Sequence, residues 1–236
     1  MDRVRARFRP NPFLKSLPSE FLPFDYGYFA FMENKALVAK SKPRIKTPTT
    51  WSGFLDGNLR KKLILEDPRT STPGLGFILF MHSIFEKSGK MTGSSLWKKI
   101  QSNTLTVTPG WSQAYSLFLS GEAPYVWSYT TSEAYHAKEN QNDFKAVQMK
   151  EGHPIQIEGA VILKSTKLAI PFLELLISKE IQEKVPETQW MYPVVDVELP
   201  ASYKNVKEPG TAKINPVNMM EIDEIQRSWK STVSEF

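Results

Sequence analysis

The chain has 236 residues, 41% of them hydrophobic, with 30 Lys and Arg against 25 Asp and Glu. That supports one large domain or two lobes with a real core. No apolar run reaches the ~20 residues that cross a bilayer, and the lack of cysteine excludes disulfides and thiolate metal sites.

Residues 1–20 read as a basic, proline-rich tail: Arg3, Arg5, Arg7 and Arg9 lead into Pro10, Pro12 and Pro18. No apolar stretch follows the arginines, so the segment does not read as a signal peptide. Residues 24–38 are rich in aromatics and read as one or two strands. Residues 41–62 read as a loop with a short helix capped by Thr50, and 63–67, LILED, as a buried strand.

The next segment, DPRTSTPGLG (67–76), places hydroxyls before a proline and two glycines. Thr72 fits an N-cap with Pro73 at the first helical position, where a missing N–H costs nothing. The helix continues through Leu75, Ile78, Leu79, His82 and Phe85, with His82 a core or edge residue. A second helix is expected over 92–103, an alternating strand over 104–108, and a helix within 109–123 ended by Gly121. A strand ends at Tyr129, and a hydroxyl triplet then opens another helix. Strands follow within 144–149 and 154–163. A helix over 165–185 has a capping Ser or Thr and a possible break at Pro171. A last amphipathic helix closes the chain. Alternating helices and strands indicate an α/β protein.

Two junctions share one design, in which a strand ends, small hydroxyls follow and a helix begins. Ligands in α/β sheets bind at the carboxyl ends of strands, and helix N-termini offer free N–H groups. Capping alone also explains such hydroxyls. Aromatics stand at turns rather than on apolar faces: Trp111, Tyr129, Tyr135, Trp190 and Tyr192. They suit a wall that stacks on a flat or cationic ligand, or else interlobe packing. No nucleotide loop or nucleophile elbow is present. His82, His136 and His153 form no ligand pair, and Glu122, Glu133 and Glu158 read as surface or strand carboxylates. No catalytic residue and no metal site is expected.

Six stretches in order carry a resemblance: PFDYGYFAF (23–31), DPRTSTPGLG (67–76), VTPGWSQAYSLFLSGEA (107–123), SYTTSEAYH (128–136), EGHPIQIEGA (151–160) and WMYPVVDVELP (190–200). Over roughly residues 17–230 the chain resembles the thiamine-binding periplasmic proteins of bacterial thiamine ABC transporters. The resemblance implies a type II periplasmic-binding-protein-like α/β fold, with two lobes joined by hinge strands. It implies no catalysis and no cofactor. The ligand is thiamine, thiamine monophosphate or thiamine diphosphate, handed by a monomer to a permease in the inner membrane, with no nucleic acid involved. Matched by motif, Ser71 is a polar contact on the phosphate side, and Trp111, Tyr129, Tyr135 and Trp190 line the cleft.

The family carries about a hundred further residues before the first motif, where this sequence has about twenty. The first lobe is therefore expected to be incomplete. Residues 30–155 form a complete central lobe with hinge strands at both ends, and 156–236 form the C-terminal part of the other lobe. That part exposes apolar surface, and thiamine affinity is reduced or lost. The family is periplasmic; with no signal peptide visible, export is left open. Competing readings are a binding protein for iron or a polyamine, an enzyme acting on a phosphorylated substrate, and a nucleic-acid binder using the basic tail.

Overall fold

The computed structural model describes residues 8–9, 12–164, 166–214 and 217–233. Its organising element is a single 13-residue strand, β1 (Leu22–Asn34), about 43 Å long at ~3.3 Å per residue. Its alternating residues feed three separate cores. Leu22, Tyr26 and Tyr28 pack with Tyr192 and Val194, Ala30 and Met32 with Ile64 and Phe118, and Phe29 and Phe31 with Trp51 and Trp127.

The strand changes partners along its length. From Phe29 to Glu33 it pairs antiparallel with β4 (Tyr125–Tyr129), and Met32 to Asn34 pair with β5 (Phe144–Ala146). From Leu22 to Tyr28 it pairs with β6 (Ile155–Ala160), and Asp25 and Tyr26 also pair with β7 (Tyr192–Pro193). The larger lobe continues through β2 (Leu63–Glu66), parallel to both β4 and β3 (Thr104–Thr108), giving the order β3-β2-β4-β1-β5. Strand β2 is buried throughout, as expected for a parallel strand covered on both faces.

Helix α1 (Pro12–Ser16) precedes β1, and α2 (Lys35–Lys40) follows it under the Asn34 cap. A 3-10 turn occupies Trp51–Leu55 where the sequence placed a short helix, and Thr50 precedes it without a side-chain capping bond. Helix α3 (Thr72–Met81) follows β2 and passes into a π-turn at His82–Glu86, with His82 Nδ1 2.8 Å from Glu86 Oε2. The glycines of TPGLG fit close packing here. A Cβ on Gly74 lies 2.4 Å from the Glu66 carbonyl oxygen, and one on Gly76 lies 2.6 Å from the Phe29 ring. Helix α4 (Gly93–Asn103) leads into β3, α5 (Trp111–Leu119) follows it, and α6 (Ser132–Lys138) follows β4.

The smaller lobe holds α7 (Ala169–Leu176), α8 (Lys179–Gln182) and α9 (Val185–Thr188). Pro171 does not split the helix, because it lies in the first turn of α7. The break falls at Ile177–Ser178, where Ser178 caps α8 by accepting the Ile181 N–H at 3.3 Å. Leu168, not a Ser or Thr, precedes α7. Buried Gln182 ties this lobe together. Its amide donates to the carbonyls of Phe24 and Leu176, and its oxygen accepts the N–H groups of Val194 and Val195. Large apolar side chains after β6 stay exposed, among them Leu163, Leu168 and Phe172.

Two expected boundaries differ from the structure. Part of the expected tail is packed: Phe8 and Leu14 are buried with Leu22 and Tyr26, and the Arg9 N–H donates to the Val194 carbonyl at 2.7 Å. Buried apolar side chains and the Arg9 backbone bond hold that segment to the smaller lobe; Arg3, Arg5 and Arg7 lie outside the described residues. The last helix, α10 (Met219–Val233), returns to the larger lobe rather than staying with residues 156–218. Its stripe Ile225, Trp229 and Val233 shares a core with Leu96, Trp97 and Ile100 of α4, and Trp97 Nε1 donates to Ser228 Oγ at 3.1 Å. At its start the Asn218 side chain accepts the Glu221 N–H at 3.0 Å and the Glu221 carboxylate accepts the Asn218 N–H at 2.8 Å, a capping box.

Candidate functional site

Strands β2, β3 and β4 run parallel, so their carboxyl ends share one edge of the sheet, and each leads directly into a helix. A cavity of about 640 Å³ lies there, lined also by residues of β6 and by residues 188–191. That volume falls in the range of small-molecule sites.

Trp111 is the first residue of α5, placed by the Pro109-Gly110 turn. Its ring stacks on Tyr115 at 4.8 Å, and its Nε1 donates to Ser128 Oγ at 2.8 Å, which in turn meets Ser132 Oγ at 2.9 Å. Behind it the Tyr115 hydroxyl meets buried His136 Nε2 at 2.7 Å, and His136 Nδ1 meets Gln141 Oε1 at 2.8 Å. Burial lowers the His136 pKa and keeps the ring neutral, so Nδ1–H donates to Gln141 and Nε2 accepts from Tyr115. The aromatic wall is thereby fixed in orientation from the core side.

Tyr129 ends β4. Its ring stacks on Phe29 at 4.9 Å, and its hydroxyl donates to Gln156 Oε1 at 3.0 Å. Gln156 Nε2 donates on to Glu158 Oε1 at 2.7 Å. Burial is the largest cause raising the Tyr129 pKa, followed by the charge of Glu158, and Glu66 and Asp25 add to it. Tyr135 of α6 meets Trp190 edge-to-face at 5.4 Å. Trp190 has φ 55°, a left-handed backbone that bulky residues rarely adopt, and such strain is concentrated at ligand sites.

The cavity therefore brings together Trp111, Tyr129, Tyr135 and Trp190. Ser71 stands differently. It is the N-cap of α3, its hydroxyl accepting the Gly74 N–H at 3.4 Å, while Thr72 and Pro73 face the cavity. The cap falls one residue earlier than Thr72 because Ser71 still has extended backbone, φ −130° and ψ 125°. Tyr192 does not reach the cavity; it is buried in the smaller lobe's core. The histidines stay apart. His153 is buried, its Nε2 accepting the Met149 N–H and its Nδ1–H donating to the Phe29 carbonyl.

The lining also includes Tyr115, Ser132, Gln156 and Glu158. Gln156 and Glu158 stand two apart on β6, and that spacing puts both on one face of a strand. Their sequence carried this alternation, but nothing local says which face meets a cavity. Among the described residues, no cluster of His, Asp and Glu is suited to a metal ion.

A model of the bacterial extracellular solute-binding protein family matches residues 1–225. A thiamine-binding periplasmic protein of Salmonella typhimurium is 41% identical over 195 residues, 81% of this chain and 57% of that protein. One from Brucella melitensis biotype 1 is 40% identical over 215 residues, 89% of this chain and 61% of the relative. The chain thus spans less than two thirds of the length of these curated relatives. Among solved structures, a periplasmic thiamin binding protein matches with a TM-score of 0.82 at 35% identity, over 98% of this chain and 71% of the other. The periplasmic binding protein AfuA from Actinobacillus pleuropneumoniae, with fructose-6-phosphate bound, matches with a TM-score of 0.73 at 17% identity, over 99% of this chain and 75% of its own. That second likeness concerns the fold alone. With the family model spanning nearly the whole sequence, this chain belongs to the bacterial extracellular solute-binding proteins.

Proposed function

We propose that the chain binds thiamine, or thiamine monophosphate or diphosphate, in this cavity as the solute-binding component of a bacterial ABC importer. It acts as a monomer in the periplasm and delivers the ligand unchanged to a permease in the inner membrane. The observation that carries this reading is the aromatic wall of Trp111, Tyr129, Tyr135 and Trp190 at the carboxyl ends of parallel strands. The names of the relatives point to the same ligand.

Thiamine has two flat rings, one of them a permanent cation. Stacking and cation–π attraction on such walls contribute about 0.5–2 kcal/mol per contact. The phosphate forms find their partners at the start of α5, where the helix dipole and free N–H groups favour anions, and the dipole of α3 points to the same cavity. Gly110 caps α5 without a side-chain bond, which leaves those donors available. Ser71 serves the same end of the cavity by holding the first turn of α3 in place.

Calorimetric titration with thiamine tests the reading. Replacing Trp111 with alanine weakens binding at least tenfold, about 1.4 kcal/mol. Unchanged affinity in Trp111→Ala removes that residue from the site, and no binding by the unaltered chain refutes the reading.

A further inference from the structure

Beneath the aromatic wall lies a set of acids that stacking does not use. Glu158 is the only charged side chain lining the cavity among the described residues, in a chain of net charge +5. Directly opposite it across the β1–β6 ladder is Asp25. Residues opposed in this way point to the same face of the sheet. Asp25 also shares its strand face with Gly27, whose Cβ position meets Met191 and Tyr129, two residues of the cavity wall. Asp25 is 1% exposed, and neither of its carboxyl oxygens has a hydrogen-bond partner. Glu66, at the end of β2, is 3% exposed and equally unpartnered. Tyr129 stands within the field of all three acids.

A buried carboxyl with no donor and no counter-charge is held in its neutral form. It becomes an acceptor of positive charge the moment a cation is placed beside it. Resting on the reading of this cavity as a solute site, we propose that Asp25 and Glu158 select an organic monocation, and that Asp25 releases its proton to solvent as the cation enters. Ligand charge enters and a proton leaves, so the net charge beneath the wall is unchanged.

The groups around Asp25 fit this exchange. Glu158 faces it from β6, and Tyr129 of β4 and Tyr203 of the turn at Ala201–Tyr203 lie within reach of its charge, as Tyr129 does of the charge of Glu66. Burial first, then the charge of Glu158, raises the Asp25 pKa to about 7, where a single nearby charge shifts the proton at neutral pH. Burial holds Glu66 well above the usual carboxylate range.

Calorimetry on the full chain at pH 7 tests the exchange, with thiamine and with N-methylpyridinium, each in PIPES and in Tris. These buffers differ in ionisation heat, so released protons appear as a difference between them. Unphosphorylated thiamine is used because a phosphate titrates near this pH. The expected result is release of a measurable fraction of a proton per bound thiamine, because a group of pKa near 7 still holds part of its proton at pH 7. Asp25→Asn loses the buffer difference, and Glu66→Gln keeps it. Binding of either cation with equal heats in the two buffers overturns the proposal while leaving solute binding intact. N-methylpyridinium binding with proton release, in a chain that does not bind thiamine, refutes the thiamine reading and supports the exchange. Binding of neither refutes both. If Asp25→Asn fails to fold, the Asp25 carboxyl carbon is followed by NMR against pH in the unaltered chain. Its midpoint falls by one unit or more with N-methylpyridinium bound, and an unmoved midpoint overturns the proposal.

Discussion

Asp25 also leaves a signature in the free protein, as a dependence of folding stability on pH. Its pKa is about 7 in the folded chain, against 3.8 for an unperturbed aspartate. Between those values the folded state binds more protons than the unfolded state, so stability falls as pH rises from about 4 to about 7. At about 1.4 kcal/mol per proton per pH unit, Asp25 removes about 2–3 kcal/mol between pH 5 and pH 8. The amide introduced by Asp25→Asn does not titrate. It is buried and unpaired, at a cost of ~1–3 kcal/mol that is the same at every pH. Relative to the unaltered chain, Asp25→Asn therefore gains about 2–3 kcal/mol of stability from pH 5 to pH 8. Glu33 and Glu66, also raised by burial, are common to both chains and cancel in the difference. Urea unfolding at pH 5, 6, 7 and 8, with linear extrapolation, measures it. A difference between the two chains that stays constant across this range refutes the reasoning, because it means that Asp25 is charged in the folded state throughout.

Other substitutions test other parts of the structure. Ser71→Ala removes the cap of α3 and costs about 0.5–2 kcal/mol in thermal or urea unfolding, with thiamine affinity changed less than twofold. A tenfold loss of affinity would instead make the hydroxyl a direct ligand contact. Trp229→Ala empties the space that α10 fills against α4, and costs about 3–5 kcal/mol. A loss below about 1 kcal/mol would show that α10 does not close the larger lobe's core.

Much of this protein could be read from the chain. The strands LILE and TLTVT, the helix started by TSTPG and the helix after Pro109-Gly110 follow from local rules, namely apolar runs, caps and turn residues. The turn aromatics stood out because they fit no regular apolar face, and Trp111, Tyr129, Tyr135 and Trp190 do meet at one cavity. The misreadings were also local. Two hydroxyls in succession, Ser71 and Thr72, each satisfy the rule for a cap, and only backbone geometry shows which one is still extended. Pro171 is as acceptable in a first turn as it is disruptive in a helix interior, and the sequence does not mark where α7 begins.

The sequence by itself determined the element types, the hydroxyls at helix starts and the supply of aromatics, because these depend on neighbours within a few residues. Tertiary structure decided what those residues face. Strand β1 serves two lobes because its partners come from positions 125–160 and 192–193, far along the chain. Helix α10 sits on α4 because its apolar stripe finds a matching core there, not because of its place in the sequence. Asp25 is an ordinary acid in PFDYGYF until β6 sets Glu158 opposite it and the fold removes it from water. Its altered chemistry comes from desolvation and from a charge 133 positions away, and neither is written in the residues beside it.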